Sequence, residues 1–95
     1  MAYKPQAFLG AWMHTVELLQ AALEAAGRLG YAVRPECLGG AGGGGCELRG
    51  RRVFFLDLDL GPNEQLESAL RTLREDPKLL TLKLPEPLRV MLKAS

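Results

Sequence analysis

Cys46-Glu47-Leu48-Arg49-Gly50-Arg51-Arg52-Val53-Phe54-Phe55-Leu56-Asp57-Leu58-Asp59-Leu60 reads as two strands joined by a tight turn, with the stronger strand second. Gly50-Arg51 suits a two-residue type II′ turn, which pairs Leu48 with Val53 and Cys46 with Phe55 and leaves Phe54, Leu56, Leu58 and Leu60 on the other face. An odd-length loop would instead align Cys46 and Leu48 with Phe54 and Leu56, and both registers stay open. In either one the segment 53–56 is apolar on two sides, more than one layer of helices can cover in so short a chain. Val53 and Phe55 are therefore expected to meet a partner or a second protomer.

Upstream of the hairpin, Gly39-Gly40-Ala41-Gly42-Gly43-Gly44-Gly45 is closed at its ends by Cys37-Leu38 and Cys46, the only two cysteines. Gly40 to Gly45 formally satisfies G-x-G-x-x-G, but a dinucleotide loop needs a helix after it to hold the pyrophosphate, and here a strand follows. No Gly-Lys-Ser or Gly-Lys-Thr is present for a phosphate loop of the other kind. The run is expected to be a mobile connection between strands, and as a hairpin it would let Cys37 and Cys46 face each other. Two thiols are half of a structural zinc site, so Cys37 and Cys46 are weak metal candidates that would need a dimer to complete the set.

Residues 15–29 carry Val16, Leu19, Ala22, Leu23 and Ala26 at helical spacing, with Thr15 as N-cap and Gly30 as the left-handed residue that ends the helix. Tyr31-Ala32-Val33-Arg34 then alternates as a strand that Pro35 closes. Gly61-Pro62-Asn63-Glu64 opens a second helix with Leu66, Ala69, Leu70 and Leu73 inward: glycine as N-cap, proline at the first position, glutamate in the first turn. Leu80, Leu82 and Leu84 alternate as a short edge strand, and 85–93 gives a last helix with Leu88, Met91 and Leu92 inward.

The chain has 95 residues, 47% hydrophobic and 24% charged, with a formal net charge of +1. That is the composition of one folded domain, without the basic surplus that nucleic acid or anionic membrane usually demands. No apolar run approaches the roughly 20 residues of a membrane span, and the start of the chain is too broken for a secretory signal. Cytoplasmic location and reduced thiols are expected.

His14 is the only histidine, which excludes paired-histidine metal motifs. A Cys–His nucleophile would need the start of the first helix to reach the glycine run, and neither an acidic orienter nor an oxyanion loop is evident. Asp57 and Asp59 share a strand face and Glu64 follows, a set able to hold a hard cation, although a half-exposed strand shows the same alternation. Arg49, Arg51 and Arg52 form a basic hairpin tip suited to phosphate contact.

Gly42-Gly43-Gly44-Gly45-Cys46-Glu47-Leu48-Arg49-Gly50-Arg51-Arg52-Val53, followed by Pro62-Asn63-Glu64-Gln65, resembles an uncharacterised family of short bacterial proteins. Those proteins share a Gly-Gly-x-Cys-x-Leu-Arg-Gly-x-x-Val hairpin and a Pro-x-Glu-Gln helix start. The likeness spans about residues 30–76 and implies bacterial origin but no activity. A fainter resemblance to ImmA/IrrE-type zinc peptidases lies in a hairpin that precedes a helix. Where those enzymes carry His-Glu-x-x-His, this chain has Leu70-Arg71-Thr72-Leu73-Arg74-Glu75, so no ligand transfers.

The sequence thus points to an α+β fold, an arm at 1–14 and one domain at 15–95, with a small antiparallel three-stranded meander packed on helices in the order α-β-β-β-α and a short C-terminal strand and helix. The function expected is a non-enzymatic interaction or self-association module, a homodimer or a protein binder, acting through Val53, Phe55, Phe8 and Trp12. No cofactor, catalytic residue or membrane partner is expected. A small-ligand or metal site at the glycine run with Cys37 and Cys46 is the first alternative, and a weak nucleic-acid contact at the arginine tip the second.

Overall fold

The computed structural model describes residues 14–93. They form α1 (Thr15–Arg28), β1 (Ala32–Glu36), β2 (Gly44–Leu48), β3 (Arg51–Asp57), α2 (Pro62–Arg74), a 3-10 turn (Pro77–Thr81) and α3 (Glu86–Lys93). The fold is α+β with a mixed sheet, and the arm residues Phe8 and Trp12 lie outside the described residues.

α1 starts one residue earlier than expected: His14, not Thr15, is the N-cap, and its N–H donates to the Glu17 carboxylate at 3.0 Å. The inward stripe is also rotated, to Leu18, Leu19, Ala22, Ala25, Ala26 and Leu29, which leaves Val16 exposed. Gly30 does end the helix, at φ +99. The Gly30 N–H donates to Gly27 O and the Tyr31 N–H to Ala26 O, both at 3.0 Å, the paired bonds of a Schellman motif.

The sheet is not an antiparallel meander. Its order is β1-β3-β2, with β1 parallel to β3 and β2 antiparallel to it. The strongest strand takes the centre, where its two-sided apolar sequence gains a hydrogen-bonded neighbour on each edge. The glycine-rich connection therefore does not turn between neighbours. It crosses the end of β3 from one edge of the sheet to the other.

The hairpin register differs by two residues from the type II′ expectation. Leu48 pairs with Arg51, Cys46 with Val53 and Gly44 with Phe55. Arg49 (φ +53) and Gly50 (φ +78) occupy the turn, both left-handed, which is the type I′ pattern. A shift of two preserves the faces. Phe54, 1% exposed, lies in the core with residues of all three helices, while Cys46, Val53 and Phe55 share the opposite face.

α2 forms as its sequence dictates: Gly61 is the N-cap, Pro62 opens the helix, and the Glu64 carboxylate accepts from Gly61 N–H at 3.3 Å. Leu66, Ala69, Leu70 and Leu73 are all buried. The leucine alternation at 80–84 is not a strand. Asp76 accepts from Lys78 N–H at 2.9 Å and starts the 3-10 turn, which commits the backbone to local bonds and leaves Leu80 exposed while Leu79, Leu82 and Leu84 pack on the core. In α3, Leu88 is buried and Met91 and Leu92 pack against the core as expected.

Candidate functional site

Asp57, the last residue of β3, is 2% exposed. It is neither half-exposed nor arranged for a metal. Its carboxylate accepts from the N–H groups of Leu38 (3.1 Å), Gly42 (2.9 Å) and Asp59 (2.9 Å), and Asp59 in turn accepts from Gly39 N–H at 2.7 Å. Burial works to raise the Asp57 pKa. The N–H groups of Gly42, Asp59, Leu38 and Gly40 together outweigh it and hold the carboxyl below the ordinary 3.8.

The glycine run is thus a cradle of backbone donors whose anion is the protein's own aspartate. Gly39, Gly40, Gly42 and Gly44 have positive φ, the geometry that turns successive N–H groups inward. Three N–H groups of the loop expected to be mobile, those of Leu38, Gly39 and Gly42, are bound by the two aspartates. Glu64 is directed back to its own helix cap, and among the described residues no three His, Cys, Asp or Glu side chains converge to hold a metal.

Cys37 and Cys46 are not brought together. Cys37 directly follows β1 and Cys46 lies in β2, the two edge strands with β3 between them, so two strand spacings, about 9.6 Å, already exceed the roughly 6.8 Å that a disulfide spans. Both are free and exposed. Both thiols are accordingly expected to react promptly with a disulfide reagent in the native protein, and added reductant to leave the melting midpoint unchanged. A thiol that reacts only on unfolding, or a reductant-sensitive midpoint, contradicts this placement.

The basic tip is reorganised. Arg52 faces the helices, where it donates to Leu29 O at 2.8 Å, lies over the Tyr31 ring at 4.5 Å and makes an ionic contact of 2.8 Å with buried Asp76. Lys78 N–H, against the opposing effect of burial and with help from Arg52, keeps the Asp76 pKa lowered. Arg34 from β1 takes the place of Arg52: with Arg49, Arg51, Leu48 and Val53 it lines a depression of about 600 Å³ on the opposite face.

That face is the one none of the three helices packs upon. Phe55 lies in its middle with the Arg34 guanidinium 5.9 Å from its ring centroid, Cys46 is exposed, and Leu48 is 45% exposed. A second hollow, about 420 Å³, runs from Cys46 and Phe55 to Leu38 and Ala41. The structure keeps Val53 and Phe55 on one face with Cys46 and Leu48, as the type II′ register read from the sequence has them, but buries Val53 to 5% exposure and adds Arg34. Arg34 is separated from the hairpin by the whole glycine run, so only the parallel pairing of Arg34 with Phe55 reveals it.

A groove of about 540 Å³ also lies between the glycine run and α2, beside Asn63, Glu67, Arg71 and Met91. Ser68 also lines this groove, and its hydroxyl is closed off from solvent without a hydrogen-bond partner. Among the described residues no helix is long and apolar enough to cross a membrane. Compared with known proteins, the chain matches no family model, no curated protein and no solved structure.

Proposed function

We propose that this protein is a non-enzymatic interaction module that docks a protein partner on the sheet face opposite its helices. The observation that supports this most directly is the apolar surface of Leu48, Cys46 and Phe55 on that face, with Leu48 45% exposed beside buried Val53. Apolar residues gathered around an aromatic with arginines at the edge are what protein interfaces favour. The donors that a small-anion site would use are already taken by Asp57 and Asp59.

Leu48 is exposed in the free chain, so Leu48→Asp should leave the melting midpoint within a few degrees while removing a central contact of the complex. Loss of binding by at least about tenfold is the expected result, read by light scattering for a second copy and by capture for another protein. A strict monomer at high micromolar concentration, with every captured partner indifferent to Leu48→Asp, contradicts the proposal.

A further inference from the structure

The sheet face opposite the helices carries a charge pattern that specifies its occupant. Arg34, Arg49 and Arg51 come from a strand, a turn and another strand, yet all three line one depression with Val53 and Leu48. Arg34 reaches Glu36 at 3.3 Å, with both side chains about half exposed. Among the described residues Arg49 and Arg51 form no ion pair, and no carboxylate lines the depression. Arg49 also holds a left-handed backbone, φ +53, at a turn position that asparagine or glycine fills with less strain.

Three guanidiniums around an apolar floor are a receptor for carboxylates next to an apolar side chain, because the planar guanidinium matches a carboxylate through two parallel hydrogen bonds. A second copy fits poorly. A two-fold contact would set the same three arginines against their own images, with Glu36 as the one acidic residue of β1 to offset them. Nucleic acid fits poorly as well, since the chain has a net charge of only +1 and Arg34 already covers Phe55, the aromatic on which a base would stack.

We infer that the partner is an acidic segment of another protein, laid across this face with its carboxylates on Arg34, Arg49 and Arg51 and an apolar side chain over Val53 and Leu48. The inference rests on the docking role proposed for the face and goes further by fixing the partner's chemistry.

Fluorescence anisotropy tests it with three labelled probes: a short peptide alternating Glu with Val, the matching Lys/Val peptide, and oligothymidylate. The Glu/Val peptide is expected to bind, to weaken as salt rises, and to lose about tenfold or more with the double variant Arg49→Glu/Arg51→Glu. Arg49→Gly separates binding from folding, since glycine suits the left-handed turn: its melting midpoint should hold while peptide affinity falls. Failure of the Glu/Val peptide to bind at millimolar concentration, stronger binding of oligothymidylate, or indifference to the double variant overturns the acidic partner. Should the Lys/Val peptide bind best and depend on Leu48, the docking face survives and its acidic specificity falls. Should no probe or captured protein depend on Leu48, both fall.

Discussion

Asp57→Asn should lower the melting midpoint by on the order of 10–15 °C, although the substitution keeps the size of the side chain. The aspartate gathers three backbone N–H groups from two directions, Leu38 and Gly42 from the glycine run and Asp59 from its own chain two residues on. An amide has one acceptor oxygen, so its NH₂ would be turned toward a donor, and at least one buried N–H would lose its partner. Loss of the charge also weakens the bonds that remain.

The pH dependence follows with a definite sign. The folded Asp57 and Asp76 carboxyls both lie below their ordinary value of 3.8, so the stability they contribute is fully present above that pH. It is lost as pH falls through their lower folded-state values. Thermal melts should therefore show an acid limb below about pH 4, and Asp57→Asn should flatten it. A midpoint unchanged by the substitution, or an acid limb of the same slope, contradicts the role given to this carboxylate.

Gly43→Ala is the second large effect. A β-carbon there would clash with Phe55 O and stand 2.8 Å from Phe55 C, both backbone atoms of the central strand, with Asp57 N 3.4 Å away. Side chains can rotate out of such a clash, whereas the backbone of β3 is held by a strand on each edge. A loss of about 3 kcal/mol, near the top of the range for overpacking, is expected by denaturant unfolding. Gly27→Ala serves as the control: nothing lies within 4 Å of its added carbon, and it should be neutral or stabilising by up to about 1 kcal/mol, as alanine is in a helix. Equal effects at the two sites would mean that Gly43 is not pressed against β3.

The local signals of the sequence were legible because their partners lie within a few residues. Gly30 ends α1, Gly61-Pro62 starts α2, and the α2 stripe follows from 3.6-residue spacing alone. Long-range pairing was not, since strand alternation is the same whether β3 lies at an edge or in the centre. Its central place depends on a connection long enough to cross the end of the sheet, and that connection is bonded to Asp57 through Leu38 and Gly42. A sequence signal for Asp57 did exist: an aspartate two residues before another residue's free N–H, at a strand end, beside a run of glycines whose own N–H groups need an acceptor. The leucine alternation at 80–84 misled because Asp76-Pro77 is also a good start for a helical turn, and the nearer bond formed.

The surface around Val53 and Phe55 was half legible. Period-two alternation on β3 placed these two on one face, but Arg52 leaves the basic group for Asp76, and Arg34, to which no role was given, joins it beside Phe55. The basic group that results surrounds an apolar floor instead of capping a hairpin tip, which moves the chemistry from phosphate contact toward protein docking.

The most direct measurement is a two-dimensional amide NMR titration of the isotopically labelled protein with the Glu/Val peptide. Shifts should gather at Arg34, Cys46, Leu48, Arg49, Arg51, Val53 and Phe55, while Gly39 and Gly42, whose N–H groups are already bound by aspartates, stay in place. Shifts concentrated in the glycine run, with the sheet face unmoved, would contradict a docking face there and make the loop the binding site.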